Sequence, residues 1–371
     1  MRILHFYKTF MPDTMGGIEQ VITTLVNKTS LLGIKNSLLV TSSTTEKFEV
    51  IHIEGVEVLR VKTTFTAASC PVSLELLAVY KKIIEQYDIL HFHYPWPFGD
   101  VVSLLNPNKK VKIIVSYHAD IFNQKFLKIF YLPVMRSFFN KVDKIIVSSS
   151  NLATTSRDLV PYRSKIAVIP FGMPKPVVKS DRMQYWQSKV GNNFLLFIGQ
   201  FRYYKGISVL LEALHYFAVP LVLIGKGPLE KKLKQQVAKN KLQNVHFVGA
   251  VDDDDKSALL QLSRAVVLPS IVRAEAFGIA LLEGAMCAKP LISTELGTGT
   301  SFINQDKVTG FVVEPNNSVM LGEAIKKIFT DDKLTQKMGQ ASYQHYLDKF
   351  TAEKMVSSYV ECYKQISGSS F

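Results

Sequence analysis

One stretch limits what this chain can fold into more than any other: Ala265-Val-Val-Leu268, stopped by Pro269-Ser270, then Arg273-Ala-Glu275-Ala-Phe277-Gly278-Ile279-Ala-Leu-Leu-Glu283-Gly-Ala. A short apolar run ended by proline reads as a buried strand, and the pattern after Gly278 reads as a helix, so a tight strand, loop and helix are expected. The first N–H groups of a helix have no intrahelical acceptor, and with the dipole behind them they bind anions such as phosphate. Glycine at 278 lets a ligand approach the main chain closely. On one continuous helix Glu275 and Glu283 would lie about 80° apart around the axis. Their spacing better fits Glu275 in the loop and Glu283 on the helix, reaching two parts of one ligand. It also fits a helix N-terminal acid followed by an exposed helix carboxylate.

The remaining chain alternates apolar runs with helical patterns, which is the signature of a doubly wound α/β sheet. Arg2 to Tyr7 reads as a first buried strand, and Asp13-Thr14-Met15-Gly16-Gly17 leads from it into a helical stretch at Ile18 to Val26. The glycine pair suits a phosphate at the backbone, although the dinucleotide fingerprint is absent. Strands follow at Ser37 to Thr41, as a pair at Val50 to Val61, and at Asp88 to His93, with a helix at Ser73 to Gln86. His91 and His93 share a strand face; a metal site needs more ligands, and the surrounding sequence supplies none. They read as a packed strand end, with an acceptor-side wall as the alternative. His118-Ala-Asp120 stands at the carboxyl end of the strand Lys112 to Tyr117, where open α/β sheets bind ligands.

Asn123 to Asn140 mixes Phe126, Phe130, Tyr131, Phe138 and Phe139 with Lys125, Lys128 and Arg136. Such a helix is either core on one face and solvated on the other, or rests on an anionic bilayer. Strands are expected at Val142 to Ser148 and Lys165 to Ile169. Pro161, Pro170, Gly172, Pro174 and Pro176 then read as a linker, which divides the chain into domains 1–172 and 173–350. In the second domain, Phe194 to Ile198 is a strand, followed by Arg202, Lys205 and Gly206 before a helix from Ile207. The Leu221-Val-Leu-Ile-Gly225-Lys-Gly227 turn lacks the third Rossmann glycine, which excludes a nicotinamide site there. Asp252 to Asp255 open a helix, where the dipole favours acids, or chelate a divalent ion. Pro290 to Ser293 and Gly310 to Val313 read as strands, separated by a polar glycine turn at Gly297 to Ser301 and followed by helices through Phe371.

E-A-F-G-x-x-x-x-E resembles the donor-site signature of the retaining GT4 glycosyltransferases. That resemblance implies the GT-B fold, two Rossmann-like doubly wound domains facing a central cleft. It implies that Glu275 contacts the transferred sugar, that the backbone of Phe277, Gly278 and Ile279 meets the diphosphate, and that Glu283 holds the ribose. It places Gly16 and Gly17 in the active-site loop. Ser116-Tyr-His118-Ala-Asp120 resembles the catalytic-loop segment whose histidine lies against the donor sugar, with Asp120 orienting that loop or touching the sugar. Gly199-Gln-Phe-Arg202-Tyr-Tyr-Lys205-Gly206 resembles G-R-x-x-x-x-K-G, whose Arg and Lys neutralise the leaving diphosphate. Lys205 matches; Gln200 stands where the Arg is usual, and Arg202 is the candidate to replace it.

The N-terminal Y-K-T-x-x-P-D-x-x-G-G-I-E-Q-V-I and the other motifs recur together in bacterial O-antigen and polysaccharide mannosyltransferases. This branch implies GDP-mannose as donor, a polyprenyl-diphosphate oligosaccharide as acceptor, no metal cofactor, and a last helix near Thr351 to Ile366 crossing back so that 351–371 joins the first domain. A glycoside hydrolase using the two glutamates leaves the glycine turns and Lys205 unexplained. Another GT-B enzyme, a UDP-sugar transferase or sugar-nucleotide epimerase, and a non-catalytic sugar-nucleotide-binding subunit stay open.

Composition adds limits. With 371 residues and 47% hydrophobic content the chain can build two cores. Cys70, Cys287 and Cys362 are scattered, which fits a reducing cytoplasmic setting, and no signal peptide is expected at the start. The net charge of +13 is spread over both halves without a nucleic-acid motif, so a sugar nucleotide, a phosphorylated lipid or an anionic membrane surface is the expected anionic partner, and nucleic acid is not.

Overall fold

The computed structural model describes residues 1–105, 111–121 and 125–368, with side chains for all of these but 125–127. The expected helix start at Asn123, the side chains of Lys125 and Phe126, and Phe371 lie outside the described residues. Two compact units emerge: Met1–Pro174 with Thr351–Phe371, and Lys175–Phe350.

The first unit carries β1 (Arg2–Phe6), β2 (Lys35–Ser42), β3 (Glu49–Ile53), β4 (Val56–Lys62), a small hairpin of β5 (Phe65–Ala67) and β6 (Cys70–Val72), then β7 (Ile89–Tyr94), β8 (Lys112–Tyr117), β9 (Lys144–Val147) and β10 (Ile166–Val168). Its helices are α1 (Gly17–Ser30), α2 (Leu74–Ile83), α3 (Pro97–Leu104), α4 (Lys125–Lys141) and α5 (Ser150–Thr155). The main sheet runs β10-β9-β8-β7-β1-β2-β4-β3, parallel except where β3 pairs with β4. Every residue of β7 is buried, as a strand covered on both faces must be. Strand order reverses between β1 and β7, so Gly16, after β1, and His118, after β8, lie at the carboxyl ends near that switch.

The second unit holds α6 (Ser180–Val190), β11 (Leu195–Ile198), α7 (Ile207–Ala213), β12 (Leu221–Ile224), α8 (Glu230–Lys239), β13 (Val245–Gly249), α9 (Asp253–Leu262), β14 (Ala265–Leu268), α10 (Ile279–Met286), β15 (Leu291–Thr294), α11 (Gly299–Ile303), β16 (Gly310–Val313), α12 (Ser318–Thr330) and α13 (Asp332–Lys349). Its sheet is parallel in the order β13-β12-β11-β14-β15-β16, with the reversal between β11 and β14. The expected strands stand within two residues of their sequence-read ends, and α1 runs four residues past the expected end at Val26, to Ser30. One reading needs correction: the stretch expected to be a polar turn at Gly297 to Ser301 becomes α11 from Gly299, because Thr300 and Ile303 are buried against β15 rather than solvated.

The last helix, α14 (Ala352–Ser367), belongs to the first unit. Its buried tyrosines dock on the sheet: Tyr359 OH lies 2.8 Å from Ser116 Oγ, and Tyr363 OH lies 2.8 Å from His91 Nδ1. The chain enters α14 past Gly172, where a Cβ would sit 2.3 Å from the Thr351 carbonyl oxygen, so only glycine fits. Among the described residues no helix is long and apolar enough to cross a membrane.

Candidate active site

The switch point of the second sheet collects most of the predicted donor residues. Lys205 ends a short 3-10 turn after β11, and Glu275 lies in the loop after β14. The Lys205 ammonium reaches Glu275 Oε2 at 2.5 Å, and Ser270 Oγ donates to the same oxygen at 3.0 Å. Burial alone would pull the Lys205 pKa down, but the Glu275 carboxylate more than offsets it and the ammonium is held above its ordinary value. Thr298 Oγ1 donates to the Glu275 carbonyl at 2.7 Å, and Gly299 N donates to Ala276 O at 2.8 Å, so the loop backbone is fixed from α11.

Gly278 caps α10 in the left-handed region, φ 91° and ψ 56°, where L side chains are strained. A Cβ there would also meet Leu268, Leu281 and Thr300 at 3.2 to 3.3 Å. The Phe277 ring is buried against Gly299 and packs edge-to-face on Phe350 at 6.2 Å. Phe277 is therefore core by its side chain, and together with Gly278 and half-buried Ile279 it brings backbone to the helix N-terminus. Arg202 is exposed, and its Nε donates to Gln200 Oε1 at 2.9 Å, which holds the guanidinium beside the residue standing at the usual Arg position.

Glu283 sits on α10 with only 4% of its surface exposed, which removes the alternative of an exposed helix carboxylate. Its Oε1 lies 2.8 Å from Lys256 Nζ, and Lys256 also reaches Asp253 at 2.7 Å. Sequence reasoning missed Lys256, although its place three residues after Asp253 on a helix was a signal. Around α9 the acid run is taken up by protein partners. Asp252 caps the helix by accepting from Asp255 N at 2.8 Å, Asp254 pairs with Lys179 at 2.6 Å, and Asp255 pairs with Arg182.

In the first unit, Gly16 is the extended N-cap of α1, and Gly17 is the helix's first residue. The preceding loop is pinned through Asp13, which pairs with Arg60 at 2.9 Å and accepts from Ser43 N and Thr44 Oγ1. His118 N donates to Tyr94 O at 3.0 Å, and its ring stacks on His93 with centroids 5.3 Å apart. The His118 ring is 3% exposed, and burial, reinforced by the Lys8 charge, pushes its pKa down to about 3, so it is neutral. Its Nδ1 is buried and has no hydrogen-bond partner among the described residues. Asp120 accepts from Tyr117 OH at 2.7 Å and from Ser156 Oγ at 2.6 Å.

The expectation that nothing supplements His91 and His93 is overturned. Register pairing of β1 with β7 sets His5 opposite His91, and ligating atoms of His5, His91 and His93 lie within 4.8 Å of one another. Each ring nitrogen of the three is already engaged. His5 bonds Asn36 and His93, His93 bonds His5 and His118, and His91 bonds Tyr363 and Ser116. The cluster is a hydrogen-bonded network, invisible in the sequence because its members come from two strands far apart in the chain, β1 and β7.

The helix α4 is core on one face and solvated on the other. Lys128 pairs with Asp158 at 2.6 Å, Phe138 and Phe139 are fully buried, and Tyr131 donates to Asp100. Ile129, Phe130, Pro133, Arg136, Ser137, Asn140 and Lys141 are exposed.

Within the first unit the structure thus places Gly16, Gly17 and His118, and within the second Arg202, Lys205, Glu275, Phe277, Gly278, Ile279 and Glu283. Lys205 and Glu275 are brought into contact, while Glu283 is held by Lys256.

Comparisons with known proteins give the chain's family. Residues 15–174 match the family model described as Glycosyltransferase Family 4, and residues 179–345 match Glycosyl transferases group 1. The chain is 44% identical to O-antigen chain mannosyltransferase C of Escherichia coli, covering 98% of each chain. It is 42% identical to a D-rhamnosyltransferase of Pseudomonas aeruginosa, covering 95% of this chain and 93% of that one. Among solved structures, sucrose-phosphate synthase from Thermosynechococcus elongatus superposes with a TM-score of 0.81 at 19% identity over 100% of both chains. Anabaena HepE in complex with UDP-glucose gives 0.77 at 17% identity, covering 98% of this chain and 100% of that one. These two establish fold alone, and the close relatives establish kinship: the chain belongs to the family-4 glycosyltransferases, built on the GT-B fold.

Proposed function

We propose that this enzyme transfers mannose from GDP-mannose, with retention of anomeric configuration, to a polyprenyl-diphosphate-linked oligosaccharide in O-antigen or related polysaccharide assembly. The reading is carried by the 44% identity to an O-antigen chain mannosyltransferase over nearly all of both chains. In the reaction the bond from sugar C1 to the diphosphate oxygen breaks, and its electron pair leaves with GDP. The acceptor hydroxyl oxygen bonds to C1, and its proton passes to the departing phosphate. The diphosphate is assigned to the N-terminus of α10 and to the Lys205 ammonium, both of which favour negative charge. Glu275 and the neutral His118 are assigned to hydroxyls of the transferred sugar, Glu283 to the ribose, and Gly16, Gly17 and Arg202 to the donor loops. The first unit is assigned the acceptor side and the second the donor. No metal is assigned a part.

The 42% identity to a D-rhamnosyltransferase supports a second donor, since D-rhamnose is mannose lacking the 6-hydroxyl. For the membrane-bound acceptor, exposed Ile129, Phe130 and Arg136 on α4 give the enzyme an amphipathic patch for the inner face of the cytoplasmic membrane.

The test is donor hydrolysis and transfer with GDP-mannose, GDP-D-rhamnose and UDP-glucose, with and without EDTA, with product anomers read by NMR. Turnover of GDP-mannose in EDTA with a retained anomer is expected. Faster turnover of GDP-D-rhamnose selects the second donor. Preference for UDP-glucose, or loss in EDTA rescued by magnesium or manganese, overturns the reading, and binding without turnover makes the chain a non-catalytic subunit.

A further inference from the structure

We propose that Asn36 sets the tautomer of His118 through His5 and His93, so that His118 presents a bare Nδ1 lone pair as the acceptor for a hydroxyl of the transferred sugar. The inference rests on the assignment of His118 to that sugar.

The starting point is the Asn36 amide on β2. Its Nδ2 lies 3.3 Å from Val26 O, 3.2 Å from Ile34 O and 3.0 Å from Thr29 Oγ1. Two of these partners are carbonyls, which only accept, and Thr29 directs its own hydroxyl hydrogen to Leu25 O at 2.7 Å. That end of the amide is therefore the NH2 group. Oδ1 is left facing His5 Nε2 at 3.3 Å, and an oxygen there requires that Nε2 carry the hydrogen.

The rings are neutral, so each carries one N–H. Burial lowers the pKa of His5 to about 4 and holds His93 well below its ordinary value. With His5 protonated at Nε2, its Nδ1 is an acceptor, and it receives Nε2–H of His93 across 3.2 Å. His93 Nδ1 is then an acceptor in turn and receives Nε2–H of His118 across 3.0 Å. What remains on His118 is Nδ1, bare, buried and without a partner among the described residues. The reverse order would oppose two acceptors at Asn36 and bury an N–H on His118 with no acceptor among the described residues, so it is disfavoured at both ends. His91 takes no part, because its nitrogens are engaged by Tyr363 and Ser116.

The consequence is chemical selectivity. A bare Nδ1 accepts from a hydroxyl, and a sugar hydroxyl donates more strongly as positive charge develops on the ring, so the contact tightens in the transition state. The other tautomer would offer an N–H and lose that gain. Asn36, His5 and His93 are positioning residues, acting through His118.

The intact protein, labelled with 15N-histidine, reads the tautomers directly by long-range proton–nitrogen correlation. Nε2–H is expected on His5, His93 and His118; a proton on His118 Nδ1 in the wild type overturns the proposal without any variant. His93→Phe should give His118 mixed tautomers and lower kcat tenfold or more, with donor KM within twofold. His93→Gln should restore the tautomer and most of kcat, because its amide oxygen can accept from His118 Nε2–H. Asn36→Leu provides a second break at the far end if His93→Phe does not fold. An unchanged His118 tautomer and unchanged kcat in a folded His93→Phe or Asn36→Leu variant overturns the relay. His118→Ala separates the two levels: unchanged kcat there removes His118 from the sugar, whereas a fall there with silent relay variants defeats the relay alone.

Discussion

Lys256 Nζ, on α9, lies 2.8 Å from Oε1 of Glu283, on α10, and both side chains are largely buried. Removing one partner of such a pair leaves a charge without compensation and costs about 3 to 5 kcal/mol. Lys256→Met should lower the urea midpoint accordingly and weaken GDP binding, because Glu283 loses the contact that orients it. Adding Glu283→Leu should recover much of the stability and none of the binding. A loss below about 1 kcal/mol would mark the pair as no stronger than a surface bridge.

The two glutamates should fail differently. Glu275→Gln removes a contact assigned to the sugar as charge develops at C1, and should mainly lower kcat. Glu283→Gln removes a ribose contact common to ground and transition states, and should mainly raise donor KM and weaken GDP. Lys205→Ala should lower kcat and raise KM, since the diphosphate gains charge as it leaves and Glu275 loses its ion pair. Each loss is expected at about 1.5 to 3 kcal/mol, roughly ten- to a hundredfold. Steady-state kinetics with GDP calorimetry decide, and GDP binding abolished by Glu275→Gln but kept by Glu283→Gln would reverse the assignments.

Acid should destabilise the first unit through its histidines. His5 and His118 have folded pKa values of about 4 and about 3, and burial also lowers His91 and His93. Below the unfolded value of about 6.5 the unfolded chain binds protons that the folded one refuses, so stability is full above that pH and falls as pH drops toward the folded values. Each histidine contributes a slope of about 1.4 kcal/mol per pH unit in that window. Urea unfolding from pH 7.5 to 5 should show it, with a shallower slope in His5→Gln. An equal slope in that variant would assign the acid sensitivity elsewhere.

Phe130 is 83% exposed and Ile129 61% exposed on α4, whereas Lys128 is tied to Asp158. Flotation with anionic vesicles should fall in salt. It should also fall about tenfold or more in Phe130→Ser, the scale of one buried aromatic side chain at about 1.5 to 3 kcal/mol. Lys128→Ser should change flotation little. Flotation insensitive to Phe130 would leave α4 without a membrane role.

The sequence by itself determined the order of strands and helices, the strand–loop–helix around Gly278, and the loop and helix positions of Glu275 and Glu283. These depend on features a few residues long: apolar runs, proline and glycine stops, and helical spacing. It also carried the resemblance that named the donor residues, since those motifs are contiguous. Partnership was decided only by the tertiary structure. Glu275 meets Lys205 and Ser270, Glu283 is buried with Lys256, and His5 joins His93 and His118. The expectation that His91 and His93 lack company failed because parallel pairing of β1, β7 and β8 unites residues distant in the chain, His5 opposite His91 and His93 opposite Ser116. Burial, and with it charge state and tautomer, is a property of everything packed around a side chain, and no local pattern encodes it.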